Sequence, residues 1–218
     1  MARLRAIGGT RLYRKGSVVF EQDAPVKTVT VIADGTVRLY HLLPDGRRQV
    51  IGFLGPGDLL GGLKRASGAH CTAEAVVDVI ACAFSRRGFL DLLTVYPQLT
   101  YGLLFTATDE IEAQQDHVVL LGRKHLEERL AAFLILFSRR WKFDDEPVDE
   151  VKLPMTRADI ADYLGLTVES VSRAFTRFRK QGLIEMPDTH RVVLRNLPAL
   201  LSMAGFDEVP SHGASLGL

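Results

Sequence analysis

Apolar and polar positions change period twice along the chain. From about Arg11 to Arg86 short apolar runs are divided by glycine turns: Val18–Phe20, Val29–Ile32, Val37–Tyr40, Val50–Leu54, then Ala73–Phe84 with partial alternation. Asp34-Gly35 and Asp45-Gly46 are hairpin signals, and Gly55-Pro56-Gly57-Asp58 is a further break. Strands at such spacing predict a sandwich or barrel.

The period then lengthens. Residues Pro97 to Leu121 predict one long helix entered through Tyr96-Pro97, with Pro in the first turn where its missing N–H costs nothing. Tyr101, Leu104, Thr108, Ile111, Gln115 and Val118 follow alternating steps of three and four, the spacing of a coiled-coil seam. Leu103, Phe105 and Val119 are expected to lie against the helix's own strand domain. Thr108 and Gln115 interrupt the apolar seam, so pairing through it is expected to be adjustable. Gly122-Arg123-Lys124 is the expected hinge, followed by a helix from about His125 to Arg140 with Leu126, Leu130, Phe133, Leu134 and Phe137 inward. An acidic loop, Asp144-Asp145-Glu146-Pro147, precedes a short strand at Val151 and Leu153 and is expected to point away from any polyanion. The tail after Asp207, with Pro210, Gly213 and Gly217, is expected to be mobile.

Thr156 to Ile184 is the most informative stretch. Thr156 is an expected helix cap with Asp159 as its partner three residues on, and Ile160, Ala161 and Leu164 form one buried face. Gly165 supplies a positive φ, Leu166 turns inward, and Thr167 caps a second helix, which together predict a helix-turn-helix. In the second helix Val171, Phe175 and Phe178 form the apolar stripe; Glu169, Ser172, Arg173, Thr176, Arg177 and Lys180 lie opposite. An amphipathic helix needs only the apolar stripe. The N-terminal chemistry exceeds that need: Glu169 can accept from cytosine N4, Arg173 can fork onto guanine O6 and N7, and Ser172 can contact either. The alternative is a solvated face with Glu169 favoured at a positive helix end. Arg157, Thr167, Arg177 and Lys180 are the expected phosphate ligands. Leu183 to Met186 and Arg191 to Leu194, joined by Pro187-Asp188-Thr189-His190, predict a hairpin wing.

Charge sharpens this picture. The 218-residue chain carries a net charge of only +1, yet Val151 to Arg195 holds eight Lys or Arg against five Asp or Glu. Local positive charge is what phosphate contact requires. A hydrophobic fraction of 47% and a charged fraction of 24% are those of a soluble globular protein with room for two modest cores. There is no run of about 18 apolar residues, and Met1 to Thr10 lacks a signal-peptide core, so a cytoplasmic location without membrane contact is expected. Two cysteines, Cys71 and Cys82, fit a reducing compartment.

The pattern LGLTVESVSR, with Glu169, Ser172 and Arg173 as Glu-x-x-Ser-Arg, resembles the recognition helix of the cyclic-AMP receptor protein/FNR superfamily of bacterial transcription regulators, in its FNR and FixK-like branches. Gln115 to Leu134 is similar to the FixK-like stretch that joins the dimer helix to the DNA-binding domain, and the likeness covers nearly all of the chain. The resemblance implies an α+β chain with three parts: a cyclic-nucleotide-binding-like β jelly roll over residues 1–96, a dimerisation helix over 97–122, and a winged helix-turn-helix over 123–218. It also implies a homodimer on a TTGAT-N4-ATCAA palindrome, double-stranded DNA and RNA polymerase as partners, and action as an activator.

Two features of that superfamily are missing. Its nucleotide-binding members place a Glu in a Gly-Glu-Leu segment for the ribose and an Arg before Ser or Thr for the cyclic phosphate. Here the matching segments read Leu60-Gly61-Gly62-Leu63 and Ala69-His70. A buried phosphate without its guanidinium loses its strongest contact, so cyclic AMP is not expected. FNR proteins hold an iron–sulfur centre on N-terminal cysteines, and no cysteine precedes Cys71. No cofactor or metal is expected. Cys82 reads as a small core residue, and Cys71 as an incidental thiol, with a redox-sensitive thiol as the alternative. A second functional reading keeps the DNA site but makes it depend on a haem, nitrogen oxide or metabolite in the jelly roll, although His70, His117 and His125 have no distinctive ligand spacing. An enzyme is not expected, because there is no Gly-rich phosphate loop, metal-ligand spacing or nucleophile motif.

Overall fold

The computed structural model describes residues 8–61, 68–139 and 149–209. Gly62 and Leu63, Arg140, the acidic loop at Asp144 to Pro147, and Pro210, Gly213 and Gly217 of the tail lie outside them. The chain divides into two compact units, with the division between Ala107 and Thr108.

Among the described residues the first unit contains eight antiparallel strands: β1 (Gly9–Tyr13), β2 (Val18–Phe20), β3 (Thr28–Asp34), β4 (Val37–Leu42), β5 (Arg48–Leu54), β6 (Leu59–Leu60), β7 (Thr72–Ala75) and β8 (Val79–Ser85). They form two four-stranded sheets, in the orders β1-β8-β3-β6 and β2-β7-β4-β5. Ile32, Leu60, Val79 and Ala81 of the first sheet meet Val37, Leu54, Ala73 and Ala75 of the second, which is the jelly-roll core. The expected strands are present, but the single run Ala73 to Phe84 breaks into β7 and β8 around a turn at Val76 to Asp78. Asp45-Gly46 turns the β4–β5 hairpin as expected, but Asp34-Gly35 makes no hairpin, because it carries the chain from β3 in one sheet to β4 in the other. There Gly35 has φ +92°, and a Cβ would lie 2.3 Å from the Asp78 carbonyl oxygen. Only glycine lets the two turns approach this closely.

Helix α1 (Arg86–Val95) follows β8, capped by the Ser85 hydroxyl, which accepts the Gly88 N–H at 3.1 Å. It buries Phe89 against Val29, Val31 and Phe84, and Cys82 packs on the same cluster as a small apolar side chain.

Helix α2 (Pro97–Arg123) is 27 residues long, about 40 Å. Tyr101, Ile111 and Val118 of the seam are 65%, 59% and 71% exposed, and Leu104, Thr108 and Gln115 are exposed with them. Leu103 packs on the jelly-roll cluster as expected. Phe105 and Val119 do not: they are 67% and 53% exposed. Each follows a seam residue by one position, about 100° round the helix, so the pair widens the seam instead of leaving it. The expected hinge also moves. Gly122 and Arg123 remain helical, and the break falls at Lys124 and His125.

The second unit contains α3 (Leu126–Arg139), β9 (Glu150–Lys152), α4 (Arg157–Leu164), α5 (Val168–Lys180), β10 (Ile184–Glu185), β11 (Arg191–Leu194) and α6 (Leu197–Ala204). The strands form one antiparallel sheet in the order β10-β11-β9. Leu130, Phe133 and Leu134 of α3 are fully buried, and α6 packs on the same helix.

Replacing Gly35 by Ala is expected to lower stability by about 1–3 kcal/mol through positive-φ strain and the backbone clash. The urea midpoint measures it, and an unchanged midpoint contradicts the packing described for the two turns.

Candidate nucleic-acid interface

The helix-turn-helix is built from two capped helices. Thr156 caps α4 with a complete capping box: its hydroxyl accepts the Asp159 N–H at 3.2 Å, and Asp159 Oδ2 accepts the Thr156 N–H at 3.0 Å. Ile160, Ala161 and Leu164 are buried. Gly165 ends α4 at φ +62°, ψ +41°, and the Leu166 N–H closes the turn onto the Ala161 carbonyl at 2.9 Å. Thr167 then caps α5, accepting the Ser170 N–H at 3.2 Å.

On α5, Val171, Ala174, Phe175 and Phe178 are buried. Glu169, Ser172 and Arg173 are exposed together on the first two turns, with Thr176, Arg177 and Lys180 continuing the stripe. Arg173 Nη2 lies 3.4 Å from Ser170 Oγ, a long contact that anchors the guanidinium weakly. The wing follows, with Ile184↔Leu194 and Glu185↔Val193 paired. His190 steadies it, its N–H donating to Asp188 Oδ1 at 2.8 Å and its Nδ1 lying 2.9 Å from the Leu153 carbonyl oxygen.

The four expected phosphate ligands are not alike. Lys180 is exposed. The Thr167 hydroxyl is committed to the cap and donates to Ser170 Oγ at 3.0 Å, so this position offers phosphate the first-turn N–H groups of α5 and its positive dipole end. Arg157 is half-buried: its guanidinium lies 3.5 Å from the Phe175 ring centroid, and Nη2 is 3.6 Å from Met186 Sδ. Burial pushes its pKa down to about 10, so it stays charged at neutral pH while stapling α4, α5 and the wing together. Arg177 is ion-paired with Glu127 in the first turn of α3.

Sequence reasoning overlooked the side chains that tie this motif to the end of α2. Arg129 donates from Nε to the Lys124 carbonyl at 2.8 Å, from Nη1 to the Leu164 carbonyl at 2.8 Å, and from Nη2 to the Leu121 carbonyl at 2.9 Å. His117 stacks on Tyr163 at 4.0 Å and 9°, its Nε2 lying 2.9 Å from the Tyr163 carbonyl oxygen. Burial lowers the His117 pKa, against an opposing contribution from that carbonyl. Lys124 reaches the last carbonyl of α6, at Ala204. Helix α6 was also missed, although Asn196, whose side chain accepts the Ala199 N–H at 3.1 Å, and Pro198 were its start signals.

In the jelly roll a cavity of about 270 Å³ lies among Phe20, Leu39, Leu54, Leu59, Cys71 and Arg86. Its lining is mainly apolar. Arg86 donates to the Val26 carbonyl at 2.7 Å, and no carboxylate stands among the described lining residues. Burial pushes the Cys71 thiol up, away from the thiolate that oxidation chemistry needs. Among the described residues no three His, Cys, Asp or Glu are grouped to hold a metal ion. No helix among them is long and apolar enough to cross a membrane.

Comparison with known proteins agrees with this geometry. Residues 10–96 match the cyclic nucleotide-binding domain model and residues 128–203 the Crp-like helix-turn-helix domain model. The nitrogen fixation regulation protein FixK of Bradyrhizobium diazoefficiens is 42% identical over 173 residues, covering 79% of this chain and 72% of that one. The transcriptional activatory protein AadR of Rhodopseudomonas palustris is 41% identical over 182 residues, covering 83% and 76%. The solved structure of FixK2 from Bradyrhizobium japonicum superposes with a TM-score of 0.80 at 33% identity, covering 95% of this chain and 100% of that one. The chain belongs to the CRP/FNR family of DNA-binding transcription regulators, in its FixK-like branch.

Proposed function

We propose that this regulator is a cytoplasmic homodimer that reads a TTGAT-N4-ATCAA palindrome without cyclic AMP, haem or an iron–sulfur cluster, and that it activates transcription by recruiting RNA polymerase. The observation that carries the reading is the joint exposure of Glu169, Ser172 and Arg173 on the first two turns of α5, where a recognition helix meets base edges. Glu169 accepts from a cytosine amino group, Arg173 forks onto guanine, and Ser172 adds a short polar contact between them. Lys180 and the α5 N-terminus hold phosphates, and Arg157 contributes its field while packed on Phe175. Arg177 exchanges Glu127 for a phosphate when DNA arrives.

Dimerisation runs through α2 over residues 97–122. The exposed stripe of Tyr101, Leu104, Ile111 and Val118, widened by Phe105 and Val119, is what a partner helix would cover. Independence from cyclic AMP is supported by the missing Glu and Arg of the phosphate cassette and by the apolar cavity lining. That same cavity supports a second reading, in which a small apolar effector fills the jelly roll and DNA affinity depends on it.

Three outcomes test the proposal. Arg173→Ala should lose about 1–3 kcal/mol on the palindrome and little on random DNA, whereas Lys180→Ala should weaken both alike and flatten the salt slope by about one; equal losses on both duplexes for Arg173→Ala refute its assigned role. Glu127→Gln should strengthen binding to any duplex by up to about fivefold while leaving the palindrome-to-random ratio unchanged, since an exposed pair competes for Arg177 by at most about 1 kcal/mol. Thr108→Leu with Gln115→Leu should tighten the dimer by at least about tenfold in sedimentation equilibrium, and an unchanged dissociation constant removes α2 from the interface.

A further inference from the structure

In a two-fold dimer, the distance between the two reading helices is set by how rigidly each is attached to the dimer seam. Here Thr108, Ile111, Gln115 and Val118 of the seam belong to the same compact unit as α4 and α5. The attachment between them is a set of backbone carbonyls at helix ends, gathered by side chains.

We propose that Arg129 determines which half-site spacing the protein accepts; this rests on the palindrome-reading proposal. Its guanidinium takes three carbonyls from three places: Leu121 in the last turn of α2, Lys124 at the break, and Leu164, the last residue of α4. The fork is planar and rigid, so it fixes the relative position of those carbonyls and not merely their charge balance. Gly165 marks how closely the two helix ends approach, since a Cβ there would sit 3.3 Å from Leu121 Cδ2 and 3.5 Å from Arg129 Nη1. His117 holds the same last turn of α4 from the α2 side, through the ring of Tyr163 and its carbonyl. Helix α5 follows α4 through the closed turn at Leu166. The end of α2 and the reading helix therefore move as one piece.

Changing the spacer by one base pair separates the half-sites by about 3.4 Å and rotates one against the other by about 34°. A rigid fork resists that twist, and an ammonium does not. Lysine in place of Arg129 keeps the charge and can satisfy the carbonyls one at a time, but it sets no plane.

The test is fluorescence anisotropy at one salt concentration with palindromes of three, four, five and six spacer base pairs and a scrambled duplex. The wild type should prefer one spacer over its neighbours by at least about tenfold. Arg129→Lys and Arg129→Gln, shown folded by circular dichroism, should reduce that ratio to within about threefold while still preferring palindromes over scrambled DNA. Ile135→Val, which thins the buried core of α3 without touching the three carbonyls, should melt earlier and keep the wild-type ratio. A folded Arg129 variant with the wild-type ratio overturns the proposal, and so does failure of both variants to fold, because the guanidinium would then hold the fold and not the spacing. A wild type that binds every duplex alike would instead overturn the palindrome reading on which the proposal stands.

Discussion

The carbonyl groups at the end of a helix have no partner within it, and in this protein three such ends are satisfied by side chains of neighbouring elements. Arg129 serves α2 and α4, and Lys124 serves α6. Without these donors the partly buried carbonyls of Leu121, Lys124, Leu164 and Ala204 would lose their side-chain partners, at a cost of up to about 1 kcal/mol each. The helix-turn-helix is consequently not a freely tethered module. It is joined to the last turns of the long helix by groups whose geometry is specified, and the position of α5 is inherited from α2.

Val171, Ala174, Phe175 and Phe178 hold α5 on its unit, and Glu169, Ser172 and Arg173 stay exposed on its other side. Arg157 reinforces it from below by lying on Phe175 and reaching Met186 of the wing, so that α4, α5 and the wing share one cation. Glu127 offers Arg177 an intramolecular partner. In the proposed complex such a pair holds down non-specific attraction and leaves the base contacts proposed for Glu169, Ser172 and Arg173 untouched.

Much of this was legible in the order of residues, and the exceptions have physical causes. The exposed polar stripe of α5 was visible because positions three and four apart share a helix face, and the caps at Thr156 and Thr167 because short-range geometry determines them. Strand β1 carried little signal, since Gly9 to Tyr13 is an edge strand with four of its five residues exposed, and β6 has only two residues. Helix α1 was hidden behind the apolar run of β8, although Ser85 marked its start. Gly122 suggested a hinge by composition, yet the helix passes through it because the interruption is set by where Arg129 and Glu128 offer side-chain partners, at Lys124 and His125. Arg129 could not be found from sequence at all: its role comes from three carbonyls that are neighbours only in the folded chain. Phe105 and Val119 were misplaced because a seam of two residues per heptad and a broader apolar stripe differ by one position.

The central claim is that the protein, with nothing bound in its jelly roll, is already arranged to read its palindrome. Fluorescence anisotropy of the purified protein with no small molecule added, on a TTGAT-N4-ATCAA duplex and on a scrambled duplex at one stated salt concentration, tests it most directly. The account predicts tight binding to the palindrome alone. Weak binding to both duplexes, rescued by an added effector, would contradict it.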